Sequence, residues 1–160
     1  CAPIVQRLVR PFALVDKKMR KVAPLLAGLD SVYPNFKNWY FETVREGLLL
    51  GKRKILCAQF HGKIAGLAIV KNDGVEKKIC TLLVDQNFRR AGVGSLLLNK
   101  SIETLQTPFP LITVSEIRAE SIWPLLTSRG FQLTDAEFDL YRPRVCEYIF
   151  NGAPQTRSIQ

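Results

Sequence analysis

Between residues 54 and 105 the apolar residues change their spacing twice, and that change narrows the folds open to the chain. Residues 55–60 and 64–70 read as strands on either side of His61-Gly62, a pair suited to a tight hairpin turn. Asn72-Asp73-Gly74 makes the next turn, before a strand over 77–84. The three runs form an antiparallel meander, with His61 a solvated residue at a turn tip. After a loop over 85–91 the period lengthens: Val93, Leu97, Leu98, Ile102 and Leu105 recur at helical spacing and predict a helix over 92–105.

The flanks complete the order. Residues 4–10 alternate imperfectly before Pro11 and are read as a first strand. From Asp16, Met19, Val22, Leu25, Leu26 and Leu29 predict a helix that Pro24 kinks, and a second helix follows Asn35, with Phe36, Tyr40, Val44 and Leu48 on one face. Trp39 and Tyr40 serve as core aromatics or line an acceptor-binding mouth. Beyond the break at 107–110 come a strand over 111–117, a helix over 120–128 stopped by Gly130, and strands over 131–140 and 145–150. The resulting order predicts an α/β protein of the α+β type: a mixed, largely antiparallel seven-stranded sheet flanked by about four helices. A helical crossover makes the fourth and fifth strands parallel neighbours.

At 160 residues the chain fits one domain, placed at 1–150 with a tail over 151–160. With 47% apolar and 23% charged residues it has the composition of a folded soluble protein, and no apolar run reaches the ~20 residues of a membrane-spanning helix. Four cysteines without C-x-x-C spacing and a single histidine give no basis for a metal site. The cysteines are read as free thiols, which places the protein in a reducing cytoplasm, and Cys1 is read as following a removed segment such as an initiator methionine. A net charge of +9 favours anionic partners, phosphates and nucleic acid among them, over polycations.

The chemistry concentrates in residues 83–95, where an apolar strand ending in Leu83-Val84 runs through Asp85-Gln86-Asn87-Phe88-Arg89-Arg90-Ala91-Gly92-Val93-Gly94-Ser95 into the helix. Glycines 92 and 94 permit close backbone approach, first-turn amides lack intrahelical acceptors, and the helix dipole favours an anion there. Arg89 and Arg90 add charge. The turn lacks the Gly-Lys-Ser/Thr of a Walker loop and the third glycine of a dinucleotide fingerprint, so neither ATP nor a dinucleotide is expected.

Arg89-Arg90-Ala91-Gly92-Val93-Gly94 resembles the Q/R-x-x-G-x-G/A signature of the GCN5-related N-acetyltransferase (GNAT) superfamily. Val84, Phe88 and the Arg129-Gly130-Phe131 segment extend the likeness, which with the element order covers most of the chain. The resemblance implies an acetyl-CoA cosubstrate in a splay between the fourth and fifth strands. Amides of Arg89, Arg90, Ala91, Gly92, Val93, Gly94 and Ser95 would hold its pyrophosphate, and Leu83 and Val84 would pair with its pantetheine arm. It also implies an amine acceptor, on a small molecule, a protein or an aminoacyl-RNA, with the positive charge leaving room for an anionic or RNA-linked one.

An amine with a pKa near ~10.4 is uncharged in only about one molecule in two thousand at pH 7, so its proton must be removed before attack. Relatives commonly carry a Tyr four residues before the G-F glycine as the acid; here that position is Leu126, and the Asn seven residues before it is Ala119. Where lysine-modifying relatives carry a catalytic Glu, this chain has Lys78. Glu116 and Glu76 are the carboxylates nominated as base, with Tyr141 and Ser121 as acids. The missing Tyr and Glu also keep open the alternative of a non-catalytic module that retains the fold for coenzyme A binding or for interaction. A dimer is compatible with the sequence.

Overall fold

The computed structural model describes the backbone of residues 2–152 and the side chains of residues 12–152. Its spine is the meander: β1 (Arg53–Phe60), β2 (Lys63–Asn72) and β3 (Lys77–Val84) pair antiparallel in sequence. His61 and Gly62, both at positive φ (48° and 76°), close the first hairpin, and the Asp73 carboxylate accepts from the Val75 and Glu76 amides to shape the second turn. α4 (Val93–Leu105) then crosses over, and β4 (Leu111–Ser115) lies parallel to β3. After α5 (Glu116–Ser128), the hairpin of β5 (Leu133–Phe138) and β6 (Cys146–Phe150) returns so that β6 pairs with β4. The sheet order is β1-β2-β3-β4-β6-β5.

Helices cover both faces. On one lies α1 (Ala2–Leu26), followed by a 3₁₀ turn (Ala27–Ser31) and by α2 (Phe36–Trp39), which passes through a π-helical turn (Tyr40–Val44) into α3 (Arg45–Leu49). Met19, Val22, Leu26, Tyr40 and Val44 bury against Leu67 and Ile69 of β2. Trp39 and Tyr40 are core residues, and the Tyr40 hydroxyl donates to the Met19 carbonyl at 2.8 Å. On the other face α4 and α5 pack Val93, Leu97, Leu98 and Leu126 against Ala68, Ile79, Val114 and Phe150.

Six strands form among the described residues, against seven expected: residues 4–10 belong to α1. Ile4, Leu8, Phe12, Val15, Met19, Val22 and Leu26 follow one another three or four residues apart, so the helical period runs unbroken through the segment read as alternating. α5 also starts four residues before its expected position, at Glu116, because Ser115 caps it by accepting from the Ile117 amide.

One irregularity positions the site. Ile69 pairs with Thr81 and Val70 with Ile79, which leaves Cys80 as an extra residue in β3. Such a bulge bends its strand. The β3–β4 ladder holds only Lys78↔Leu111 and Ile79↔Ile112 and stops at the residue before the bulge. From Cys80 to Val84 the two parallel strands diverge, which is the splay anticipated between them.

Candidate functional site

A groove of about 850 Å³ opens along that splay. Leu82, Leu83 and Val84 of β3, Arg89, Arg90 and residues 92–95 of the basic turn, and α5 from Ile117 to Leu125 surround it. Its phosphate-binding end follows from local backbone geometry. The Asp85 carboxylate accepts from the Asn87 amide and starts a short 3₁₀ turn (Gln86–Phe88), after which Arg90 (φ 62°) and Gly92 (φ 80°) take left-handed conformations. For Arg90 that conformation costs about 1–2 kcal/mol, strain of the kind found where backbone amides are aimed at a ligand.

The first α4 bond runs from the Leu96 amide to the Gly92 carbonyl at 3.0 Å. The amides of Val93, Gly94 and Ser95 therefore have no acceptor within the helix, and they border the groove together with Arg89 and Arg90. A Cβ on Gly94 would stand 3.2 Å from Leu125, so that glycine lets α4 and α5 approach closely at the groove floor.

Farther in, the backbone of β3 lines the gap. The Asp85 amide donates to Ala65 of β2 at 2.9 Å, whereas the Leu82 carbonyl accepts from Arg118 inside the splay at 2.6 Å. Alternation along the strand then turns the backbone groups of Leu82 and Val84 toward the groove and those of Leu83 toward β2.

On the opposite side of the splay a buried polar cluster collects. Lys78, 3% exposed, donates to the Tyr141 hydroxyl at 3.0 Å, and Tyr141 meets Tyr33 edge to face. Burial and the neighbouring Glu147 push the Tyr33 phenol up to about 12. Glu147 is 1% exposed, and neither of its carboxylate oxygens has a hydrogen-bond partner. Burial pushes its carboxyl up to about 7, the charges of Lys78 and Arg118 opposing and that of Glu116 assisting.

A family model for the acetyltransferase (GNAT) domain matches residues 30–139, more than half of the chain. The chain belongs to the GNAT acetyltransferases. Solved structures agree on the fold. An aminoglycoside 6'-N-acetyltransferase complexed with coenzyme A superposes with a TM-score of 0.61 at 11% identity, covering 86% of this chain and 93% of that one. A Desulfovibrio desulfuricans protein assigned to the GNAT family gives 0.60 at 17% identity, covering 73% and 80%. A GNAT acetyltransferase from Streptococcus pneumoniae gives 0.53 at 20% identity, covering 66% and 74%. No curated protein sequence matches the chain.

Within this GNAT fold the residues nominated from sequence fall in different places. Arg89, Arg90, Gly92, Val93, Gly94 and Ser95 gather at the groove, beside Ala91 in the same turn. Glu116 begins α5 at the splay mouth, where its carboxylate accepts from the Cys146 amide at 3.0 Å. Tyr141 stands in the buried cluster. Glu76 precedes β3 at the end remote from the groove and pairs with Lys71 at 2.9 Å. Leu126, at the familiar tyrosine position, is buried in the core, and Ser121 donates to the Arg118 carbonyl at the groove wall. Among the described residues no helix is long and apolar enough to cross a membrane, and no three metal-ligating side chains come together.

Sequence reasoning missed Arg118, Leu82 and Glu147. The signal for Glu147 is faint: one carboxylate inside the apolar strand Cys146-Glu147-Tyr148-Ile149-Phe150.

Proposed function

We propose that the protein is an acyl-CoA-dependent N-acyltransferase of the cytoplasm that moves an acetyl group from acetyl-CoA directly to an amine. The observation that carries this reading is the set of unpaired amides at Val93, Gly94 and Ser95, flanked by Arg89 and Arg90 and opening onto the splay. A diphosphate fits there: the helix N-terminus and two guanidinium groups supply donors and positive charge, and Gly92 keeps the approach clear, since a Cβ on it meets nothing within 4 Å.

Acetyl-CoA supplies an activated acetyl group as a thioester. The Val84 amide, turned into the gap, is the donor for the carbonyl oxygen as it gains negative charge. Leu82 and Val84 offer backbone groups to an extended arm lying along β3, with Leu83 packing behind them. Of the nominated proton-handling groups, Glu116 starts α5 against the Cys146 amide, Tyr141 is buried against Lys78, Glu76 lies at the far end of β3, and none of them lines the groove. With Leu126 in the core, the departing sulfur takes its proton from the attacking nitrogen or from water. No step calls for a metal.

The acceptor is an amine of a small molecule, a protein or an aminoacyl-RNA, and the net charge of +9 suits an anionic one. An RNA-linked acceptor would bind with a steep salt dependence and a neutral small one would not.

Calorimetric titration with acetyl-CoA tests the reading, comparing wild type with Gly92→Glu. The variant puts a negative side chain at the anion site, and a thermal melt alongside separates lost binding from the strain of a side chain at φ 80°. Micromolar binding lost in a folded variant is the expected result. Absence of binding to wild type overturns the reading.

A further inference from the structure

The reaction needs a group that takes a proton from an ammonium ion, and the carboxylates around the splay differ in what they already do. Glu120 lines the groove but is open to solvent. Glu116 is exposed and its Oε1 is committed to the Cys146 amide. Glu147 is enclosed, and both of its oxygens are without partners. A buried carboxylate normally has its hydrogen bonds satisfied, so two open acceptors in one side chain call for a ligand that can donate.

A second orphan lies beside it. The Thr113 hydroxyl is also buried without a partner. In the β4–β6 ladder Ser115 faces Glu147 and Thr113 faces Ile149, which makes Thr113 and Glu147 diagonal neighbours on one face of the sheet. Between the diverging strands lies a cavity of about 10 Å³ whose polar walls are Tyr33, Thr81, Thr113 and Arg118 and whose other walls are apolar side chains of β3, β4 and α5. It is large enough for about one water molecule. Glu147 is outside that lining but is the diagonal neighbour of Thr113, and two of the walls, Tyr33 and Arg118, are among the groups whose charge or phenol interacts with it, beside Lys78 and Glu116. Arg118 also borders the large groove, so the two spaces meet at its side chain.

We propose that Glu147 is the proton acceptor for the incoming amine, reached through one water held between Tyr33, Thr113 and Arg118. This rests on the transferase reading above and deepens it. The ammonium gives one proton to the water as the water gives one to the Glu147 carboxylate, leaving a neutral amine and a neutral carboxyl. The amine nitrogen then bonds to the acetyl carbon, the carbon–sulfur bond breaks, and the nitrogen's surplus proton leaves with the sulfur. Glu147 returns its proton to solvent before the next cycle.

The groups facing Glu147 suit that task. Lys78 from β3 and Arg118 from α5 favour the carboxylate, while Glu116 from α5 and burial favour the acid. Glu137 is its direct partner on β5, Tyr33 stands beside it, and Tyr141 is held by Lys78. The opposing influences leave a base balanced near neutral pH, where transfer in both directions is efficient.

The test is a ¹³C NMR titration of the full chain labelled at its glutamate carboxyl carbons, run with and without propylamine as the probe. The E147Q spectrum assigns the resonance, and Glu147→Asp does so if that variant fails to fold. The expected midpoint lies near neutrality and drops by roughly half a unit or more with propylamine, because a nearby cation favours the carboxylate. Thr113→Val should shrink that drop. A midpoint in the ordinary carboxylate range, or one that propylamine leaves unmoved, overturns the assignment. Calorimetry with acetyl-CoA separates the two levels: wild type that binds it while the resonance stays unmoved sinks Glu147 alone, and wild type that does not bind sinks the transferase reading and this proposal with it.

Discussion

The Arg118 guanidinium donates to the Leu82 carbonyl at 2.6 Å, joining α5 to β3 across the gap where the β3–β4 ladder has ended. The same charge holds the Glu147 carboxyl below the value that burial alone would set. Arg118→Met removes both effects. It should cost about 1.5 kcal/mol in urea unfolding, the scale of a hydrogen bond to a charged group, and raise the Glu147 midpoint in the NMR titration. A midpoint unchanged by Arg118→Met would mean that the guanidinium is turned away from the carboxylate in solution.

Gly66 sets where the phosphate-binding helix sits. A Cβ there would stand 2.7 Å from the Leu83 carbonyl oxygen, 2.9 Å from Leu97 and 3.0 Å from Val93. The first contact is backbone of β3 and cannot swing aside, and the other two are α4 side chains, so both the β2–β3 pairing and the seat of α4 must shift. Gly66→Ala should destabilise the protein by about 1–3 kcal/mol and weaken acetyl-CoA binding, since the Val93, Gly94 and Ser95 amides move with the helix. Stability lost without any loss of affinity would show that the helix N-terminus does not hold the ligand.

What the sequence made legible follows the range of the interactions involved. The strand over 77–84 and the helix ending at Leu105 could be read because period, turn residues and glycines lie within a few positions of one another. The basic turn was readable for the same reason. Residues 4–10 misled because the segment is short, rich in β-branched residues and followed by Pro11, whereas the paired apolar residues at 4, 5, 8 and 9 already carry the helical spacing that continues to Leu26. The bulge at Cys80 depends on how β3 pairs with β2, and the burial of Glu147 depends on β4 and β5 flanking β6. Neither leaves a local trace, which is why the splay was anticipated from resemblance while the carboxylate beside it was not.

Glu147 should make the fold less stable as pH rises. Its carboxyl lies at about 7 in the folded protein against an ordinary 4.5. Between those values the unfolded chain has released the proton that the fold retains, so stability falls through that window, by ~3 kcal/mol in total, and levels off above it. E147Q carries a neutral side chain of the same shape and escapes that fall. Urea titrations at pH 5 and pH 8 should show a variant that gains on wild type at the higher pH, by up to ~3 kcal/mol. An identical difference at both pH values would mean that Glu147 titrates alike in the folded and unfolded chains.

Glu116→Gln separates the two carboxylates at the splay. Glutamine keeps an oxygen able to accept from the Cys146 amide, so the tie between α5 and β6 survives and the melting temperature should change little. The substitution removes a negative charge that raises the Glu147 carboxyl. With Glu147 as the base, the acid limb of the pH profile for acetyl transfer shifts to lower pH in Glu116→Gln, and the plateau rate above it is retained. With Glu116 as the base, the plateau itself falls by about 10²–10⁴-fold, the usual contribution of a general base. A pH series on this one variant distinguishes these outcomes, because a neighbour's charge moves the limb while the loss of the base lowers the plateau.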